Sequence, residues 1–183
     1  MKTINKILVS LLVAVMPLTA SAQILQKAAQ RMELATVESE VGGVAGITIE
    51  VFKLADAGTY WLSVGNLGIG GDLIQLSFDP VYELFIPLGN SLDEAIGKMN
   101  ELKGFYKKPR LSQMEVQGCL AAVTPNDNFE PVTVTSRRLL TSKILSFSVK
   151  RDDLVRATYI SKADFGGLLF SLKAYKKLHP KEQ

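Results

Sequence analysis

The sequence predicts an α+β fold, in which an N-terminal helix precedes two tandem ββββα repeats whose antiparallel sheet or sheets pack against the helices. Two observations lead to this prediction. Apolar and polar residues alternate through much of residues 47–88 and 114–160, which is the period of half-buried strands. Each region is followed by an amphipathic segment, and these segments, 91–108 and 161–178, align without gaps at an offset of 70 residues.

Residues 1–22 have the features of a signal peptide. Lys2 and Lys6 precede an apolar run over 7–18, and Ala20-Ser21-Ala22 gives the small-x-small pattern of a cleavage site, so we expect cleavage before Gln23. The run is shorter than the roughly 20 residues that span a bilayer. We therefore expect an exported protein, periplasmic or secreted, whose mature chain has no transmembrane segment.

Residues 23–45 are predicted to form an N-terminal helix and a glycine-rich linker. The apolar residues of 23–40 recur at helical spacing, and glycines that favour the end of a helix follow them. These apolar residues are Ile24, Leu25, Ala28, Ala29, Met32 and Ala35, and the glycines are Gly42, Gly43 and Gly46.

The first repeat, residues 46–110, is predicted to contain four strands and a helix. The strands are expected at 47–52, 60–64, 74–78 and 84–88, with short connections rich in Gly, Asp, Asn and Pro that favour antiparallel hairpins. Ser91 followed three residues later by Glu94 is a capping box, which predicts the start of the helix. Pro109 predicts its end.

The second repeat, residues 111–183, is predicted to have the same order. Its strands are expected at 114–123, 131–139, 143–150 and 153–160, and its helix begins at Ser161 with Asp164 as the capping partner. One helix covers only one face of a four-stranded sheet, so the two repeats should pack together. They could join edge to edge into one eight-stranded sheet, or their sheets could face each other.

The composition argues against several functional classes. The whole chain has 21 basic and 18 acidic residues, and removal of 1–22 takes away two lysines, which leaves a net charge of +1. We therefore expect no nucleic-acid partner, because such a surface needs clustered excess Lys and Arg. One cysteine, Cys119, and one histidine, His179, provide neither a disulfide nor the usual ligands of a zinc site. No cofactor and no metal site are predicted.

One group of residues is a candidate binding surface. If the alternating apolar residues of the first repeat face its helix, Phe52, Trp61 and Phe85 face the opposite way beside Glu50 and Ser63. An exposed aromatic cluster on a polar background is typical of a binding surface. Alternatively, the N-terminal helix or the second sheet covers this face and makes it core, since large aromatic side chains are mostly buried.

Lysines also collect near the ends of both repeat helices. They are Lys103, Lys107 and Lys108 in the first helix, and Lys173, Lys176 and Lys177 in the second. A basic patch for an anionic surface is one interpretation, but compensation of the helix dipole explains lysines in a last turn first.

The sequence as a whole predicts a non-enzymatic, exported binding or interaction module of the cell envelope, with an envelope or extracellular protein as its partner. A periplasmic carrier of a small apolar ligand is the alternative, and a small hydrolase that uses carboxylates is a weaker one. An apolar chamber of several hundred Å³ would favour the carrier. A pair of carboxyl groups with perturbed pKa values in a cleft would favour the hydrolase.

Overall fold

The computed structural model describes residues 31–39, 47–65, 68–69, 83–123, 126–139, 141–151 and 154–180. These residues form nine strands and two helices. The strands are β1 (Arg31–Ser39), β2 (Ile47–Leu54), β3 (Tyr60–Val64), β4 (Gly68–Ile69), β5 (Glu83–Gly89), β6 (Gln113–Val123), β7 (Asn126–Leu139), β8 (Ser142–Arg151) and β9 (Leu154–Ser161), and the helices are α1 (Leu92–Phe105) and α2 (Lys162–Leu178).

All nine strands belong to one antiparallel sheet, in the order β1-β2-β3-β5-β6-β7-β8-β9-β4. From β1 to β9 each strand pairs with its neighbours along the chain, apart from the two-residue β4, which pairs with β9 at the far end. Strands β5 and β6 are neighbours although α1 lies between them in the sequence, and Phe85 is paired with Leu120. The sheet is therefore a meander that continues across the whole described chain.

The sheet is strongly curved. In a flat sheet β3 and β9 would be five strand spacings apart, or about 24 Å. The chain from Val64, the end of β3, to Gly68 in β4 can reach only about 14 Å. Gly68 nevertheless pairs with Ala157 of β9, and the Thr158 hydroxyl donates to the Gly65 carbonyl at 3.5 Å. The far end of the sheet must therefore curl back toward β3.

Both helices begin at the serines that the sequence predicts. The Ser91 hydroxyl accepts a hydrogen bond from the Glu94 backbone N–H at 3.2 Å, and the Glu94 carboxylate accepts from the Asn90 N–H at 2.7 Å. The Ser161 hydroxyl accepts from the Asp164 N–H at 3.1 Å. These bonds satisfy donors that a helix start leaves without partners inside the helix, so the predicted caps are confirmed.

The main core lies between the helices and one face of the curved sheet. Helix α1 packs against β5 and α2, and α2 packs against β1 near one end of the sheet and β8 and β9 near the other. The helix residues of this core lie at helical spacing, which is why one stripe of each helix is buried. They are Leu92, Ala95, Met99, Leu102 and Phe105 of α1, and Phe165, Leu168, Leu169 and Leu172 of α2.

The prediction of an N-terminal helix over 23–40 is wrong for the part that the structure describes. Residues 31–39 form strand β1, which pairs with β2. The register of β1 shifts between Glu33 and Ala35, so Leu34, Ala35 and Val37 all pack on the main core. This bulge interrupts the two-residue period, and the resulting spacing of apolar residues resembles that of a helix.

The prediction of two tandem ββββα repeats is also wrong. Strand β3 pairs directly with β5, so no third strand lies between them, and β4 pairs with β9 instead. Strands β5 and β6 join the strands on either side of residue 110 into one sheet, so of the two arrangements left open by the sequence the structure has a single sheet rather than two facing sheets. Amphipathic helices that follow hairpins draw on the same few residue types, and this common pattern produced the alignment at an offset of 70.

Several predictions fall on residues outside the described part of the chain. These are the signal peptide at 1–22, the first part of the predicted helix at 23–30, the glycine-rich linker after residue 39 and the predicted strand at 74–78. Among the described residues, neither helix combines the length and the apolar character that crossing a membrane requires.

Candidate functional site: a basic pocket

A pocket of about 300 Å³ lies where the turn after α1 meets the end of β7 and the start of β8. We call it the basic pocket, because five of its eight lining residues carry a positive charge. Its cations are Lys108, Arg110, Arg137, Arg138 and Lys143, and its other lining residues are Tyr106, Pro109 and Ser136.

Local sequence explains how the turn reaches β7. Helix α1 ends before Pro109, which cannot continue it. The Leu111 N–H donates to the Ser136 carbonyl at 2.7 Å, and the Ser136 N–H donates to the Ser112 carbonyl at 2.9 Å. These bonds attach the turn to the end of β7, and they thereby hold Lys108 and Arg110 beside the arginines of that strand.

Leu111 adopts a backbone conformation that is rare for a residue with a side chain. Its φ angle is 67°, and 59% of the residue is exposed. A left-handed conformation at a non-glycine residue costs about 1–3 kcal/mol and persists only where the surroundings impose it. The hydrogen bond from the Leu111 N–H to β7 is one such constraint, and it helps to offset this cost in the turn that carries two of the pocket cations.

Like charges lie close together in the basic pocket. Arg138 and Lys143 are directly opposite in the β7–β8 pairing, an arrangement that is unfavourable for like charges. Among the described residues, no carboxylate forms an ion pair with Lys108, Arg110, Arg138 or Lys143. The end of α1 contributes a partial charge of only about −0.5, so within the described part of the chain it offsets only a small share of the charge of these four cations. The pocket therefore favours an anion.

Tyr106 forms the buried side of the basic pocket. Its hydroxyl lies 3.0 Å from the Ile160 carbonyl and 3.1 Å from the Ser161 carbonyl and donates to them, and its ring packs edge-on against Phe165. Burial, and then the negative charge of Asp164, raise the pKa of Tyr106 far above its ordinary value. The phenol therefore stays protonated and connects the pocket to the junction of β9 and α2.

The five candidate residues predicted from the sequence do lie together on one face of the sheet. Phe52 is paired with Trp61, and Ser63 is paired with both Glu50 and Phe85. All five are buried, Trp61 being 7% exposed. They belong to the face that is turned away from the helices, where Phe52, Leu54, Trp61, Phe85 and Leu120 form a second apolar cluster.

Contacts within this face are those of a packed interior. The rings of Phe52 and Phe85 meet edge to face at 5.9 Å, and the Trp61 indole N–H donates to the Thr59 hydroxyl at 2.9 Å. Glu50 pairs with Arg31 at 3.3 Å. Burial favours the core alternative for this face, and a binding role for its residues stays a prediction.

Cys119 and His179 are in different environments. Burial raises the pKa of the Cys119 thiol to about 12, although a hydrogen bond from Val132 and the charge of Lys98 oppose this. His179 is exposed and stacks on Tyr175, with ring centroids 4.1 Å apart. In the described part of the chain, no three side chains of metal-ligating type lie close enough to hold a metal ion.

No protein-family model, curated protein or solved structure matches this chain. Its chemistry therefore has to be deduced from its own residues. The set in the basic pocket is suited to holding an anion, because arginine and lysine make strong, charge-assisted hydrogen bonds to phosphate and carboxylate oxygens.

Sequence reasoning found only one of the pocket cations, Lys108, as part of a lysine group at a helix end. The corresponding lysines of α2 have another role, since Lys176 pairs with Asp93 and Lys173 donates to Asn100, both on α1. A signal for the missed residues is present in the sequence. Arg138 and Lys143 flank the turn between β7 and β8, so a hairpin at this point already places them opposite each other.

Proposed function

We propose that this protein is an exported, non-enzymatic binding module, and that its basic pocket holds an anionic group such as phosphate. Export follows from the predicted signal peptide at 1–22 with cleavage before Gln23. The convergence of five cations on one pocket of about 300 Å³ carries the proposal of an anionic ligand. This volume is at the lower end of the range that holds small molecules.

The chemistry of the lining supports binding in preference to the alternatives. Apolar side chains would line the site of a carrier for an apolar ligand, whereas cations dominate here. The hydrolase alternative needs a pair of carboxyl groups with perturbed pKa values. The lining residue whose pKa is strongly raised is instead Tyr106, and its hydroxyl already donates to backbone carbonyls. An envelope or extracellular protein as partner stays a prediction.

Affinity for anions is expected to be a local property of this pocket. The chain without residues 1–22 has a net charge of only +1, so attraction from the whole surface is weak. Exposed charges are screened over about 8 Å at physiological ionic strength. Binding should consequently weaken as salt is added, and it should depend on the pocket cations more than on other lysines.

Calorimetric titration of the purified protein with inorganic phosphate at low ionic strength tests the proposal. We expect saturable binding, and we expect Arg138→Gln and Lys143→Gln each to weaken it by about 10- to 100-fold, since a lost charge-assisted hydrogen bond is worth about 1.5–3 kcal/mol. Lys177→Gln is the matched control, because Lys177 is exposed on α2 and does not line the pocket. Absence of binding, or equal effects of all three substitutions, would refute the proposal.

A further inference from the structure

A second pocket lies directly beside the basic pocket. It has a volume of about 360 Å³ and is lined by Ser142, Lys143, Ser161, Lys162 and Ala163. Lys143 lines both pockets, and Tyr106 of the basic pocket contacts Ser161 of the second through its hydroxyl. The two pockets are therefore adjacent parts of one surface, with Lys143 at their boundary.

Strand pairing and the lining of the second pocket bring three cations together along this surface. Arg138 is the partner of Lys143, and Ile144 is the partner of Ser161 in the β8–β9 pairing. Lys162 follows Ser161 as the first residue of α2, and it lines the second pocket together with Lys143. Arg138, Lys143 and Lys162 therefore belong to one basic surface, in which Lys143 is shared between the two pockets.

The positive charge of the second pocket comes from its lysines rather than from the start of α2. The Ser161 hydroxyl accepts from the Asp164 N–H and lies 2.6 Å from the Asp164 carboxylate, to which it donates. The start of the helix thus has its own cap, and Asp164 is not among the residues that line this pocket. Lys143 and Lys162 are the charged groups that face a ligand here.

We propose that the ligand is an oligophosphate group, in which one phosphate occupies the basic pocket and the next lies between Lys143 and Lys162. The proposal rests on the proposed function and specifies its ligand. Two adjacent basic pockets that share Lys143 match a chain of linked anionic groups, whereas a single phosphate in the basic pocket would not engage Lys162. Linked groups that engage both pockets also gain affinity, because the second contact is made within one complex.

Calorimetry with inorganic phosphate and with tripolyphosphate distinguishes the two pockets. Wild-type protein should bind tripolyphosphate at least about tenfold more tightly than phosphate, as expected for two linked contacts. Lys162→Gln should weaken tripolyphosphate binding and leave phosphate binding unchanged, whereas Lys143→Gln should weaken both. Lys162→Arg, which keeps the charge, should restore tripolyphosphate binding, and Lys177→Gln should change neither.

These results separate failure of this inference from failure of the proposed function. If phosphate binds and depends on Arg138, but Lys162→Gln binds tripolyphosphate as well as wild type does, the oligophosphate ligand is refuted and the basic pocket stands. If neither anion binds, both proposals fail. Circular dichroism melts of each variant confirm that the folded state is retained, since Lys162 is exposed.

The phosphates could belong to a free molecule or to a lipid headgroup, and vesicles distinguish these sources. The protein is mixed with vesicles of cardiolipin, whose headgroup has two phosphates, or of phosphatidylcholine, and bound protein is recovered by flotation. Recovery with cardiolipin alone, reversed by tripolyphosphate and reduced by Lys162→Gln, would support a headgroup. Tripolyphosphate binding without flotation would support a free oligophosphate.

Discussion

Replacement of Trp61 by alanine tests whether the face of the sheet turned away from the helices is core. Trp61 is 7% exposed, and it lies in a cluster with Phe52, Leu54, Phe85 and Leu120. The substitution therefore removes a large apolar group from the interior. It also removes the indole hydrogen bond to the Thr59 hydroxyl.

The magnitude follows from the area that is lost from the interior. A buried tryptophan removes about 150–250 Å² from water, which at about 25 cal/mol per Å² corresponds to about 4–6 kcal/mol. Residual compactness of the unfolded chain lowers this by about 10–40%. The result agrees with the range of about 3–5 kcal/mol for Trp→Ala in cores. At about 2–4 °C per kcal/mol, the melting temperature should fall by about 10 °C.

Thermal melts followed by circular dichroism measure this change, and Phe170→Ala is the matched control. Phe170 is 74% exposed on α2, so its removal should change the free energy of unfolding by less than about 0.5 kcal/mol. Trp61 is the single tryptophan, so its fluorescence reports on the same face and should be shielded from acrylamide. Equal melting temperatures for both variants, with an accessible indole, would refute the core assignment and restore the binding surface as its explanation.

Two further predictions concern Cys119 and two glycines. Native Cys119 should resist iodoacetamide and react once the chain is unfolded, because burial raises its thiol pKa to about 12 and the thiolate is the reactive form; mass spectrometry detects the adduct. As the pH rises above about 9, the Cys119 thiol loses its proton in the unfolded chain before it does so in the folded chain. The free energy of unfolding should therefore fall between pH values of about 9 and 12, and it should fall by less in Cys119→Ala. Rapid labelling of the native protein would contradict the burial of this thiol. Gly97→Ala should stabilise the protein by about 0.5–1 kcal/mol in denaturant melts, because an added Cβ meets no atom within 4 Å in an exposed helical position. Gly89→Ala should destabilise it by about 1 kcal/mol or more, because Gly89 has a φ of +129° and the Cβ would collide with the capping side chain of Glu94; the same sign for both glycines would contradict this account.

Local patterns predicted the elements whose periodicity is regular. Strands β2, β3 and β5 and the four strands β6–β9 lie where alternation indicates them, because side chains on a pleated strand point to opposite faces in turn. Ser91 and Ser161 begin helices because a hydroxyl with an acid three residues later satisfies the first backbone donors. Strand β1 was mistaken for a helix because its bulge at Glu33–Ala35 disturbs the alternation.

Features that depend on distant pairing could not be predicted in this way. The pairing of Gly68 with Ala157 produces the curl, and the two residues of β4, Gly68 and Ile69, contain no pattern that identifies so remote a partner. The basic pocket combines the turn after α1 with the β7–β8 hairpin, and neither segment contains a pattern that identifies the other as its neighbour. Alternation placed the five candidate aromatic and polar residues on one face correctly, but it does not show what covers that face.

The position of α2 determines when the fold can be completed. The meander from β1 to β9 can grow by addition of one neighbouring strand at a time, which is a local and rapid process. Helix α2, by contrast, is the last described element of the chain, yet it packs against β1, the first. During synthesis the apolar face of the early strands therefore stays uncovered until α2 has been made, which is after all of the described strands. The chain should remain incompletely folded until α2 is available. The rate at which α2 then docks should depend on how quickly it meets β1, at the other end of the described chain.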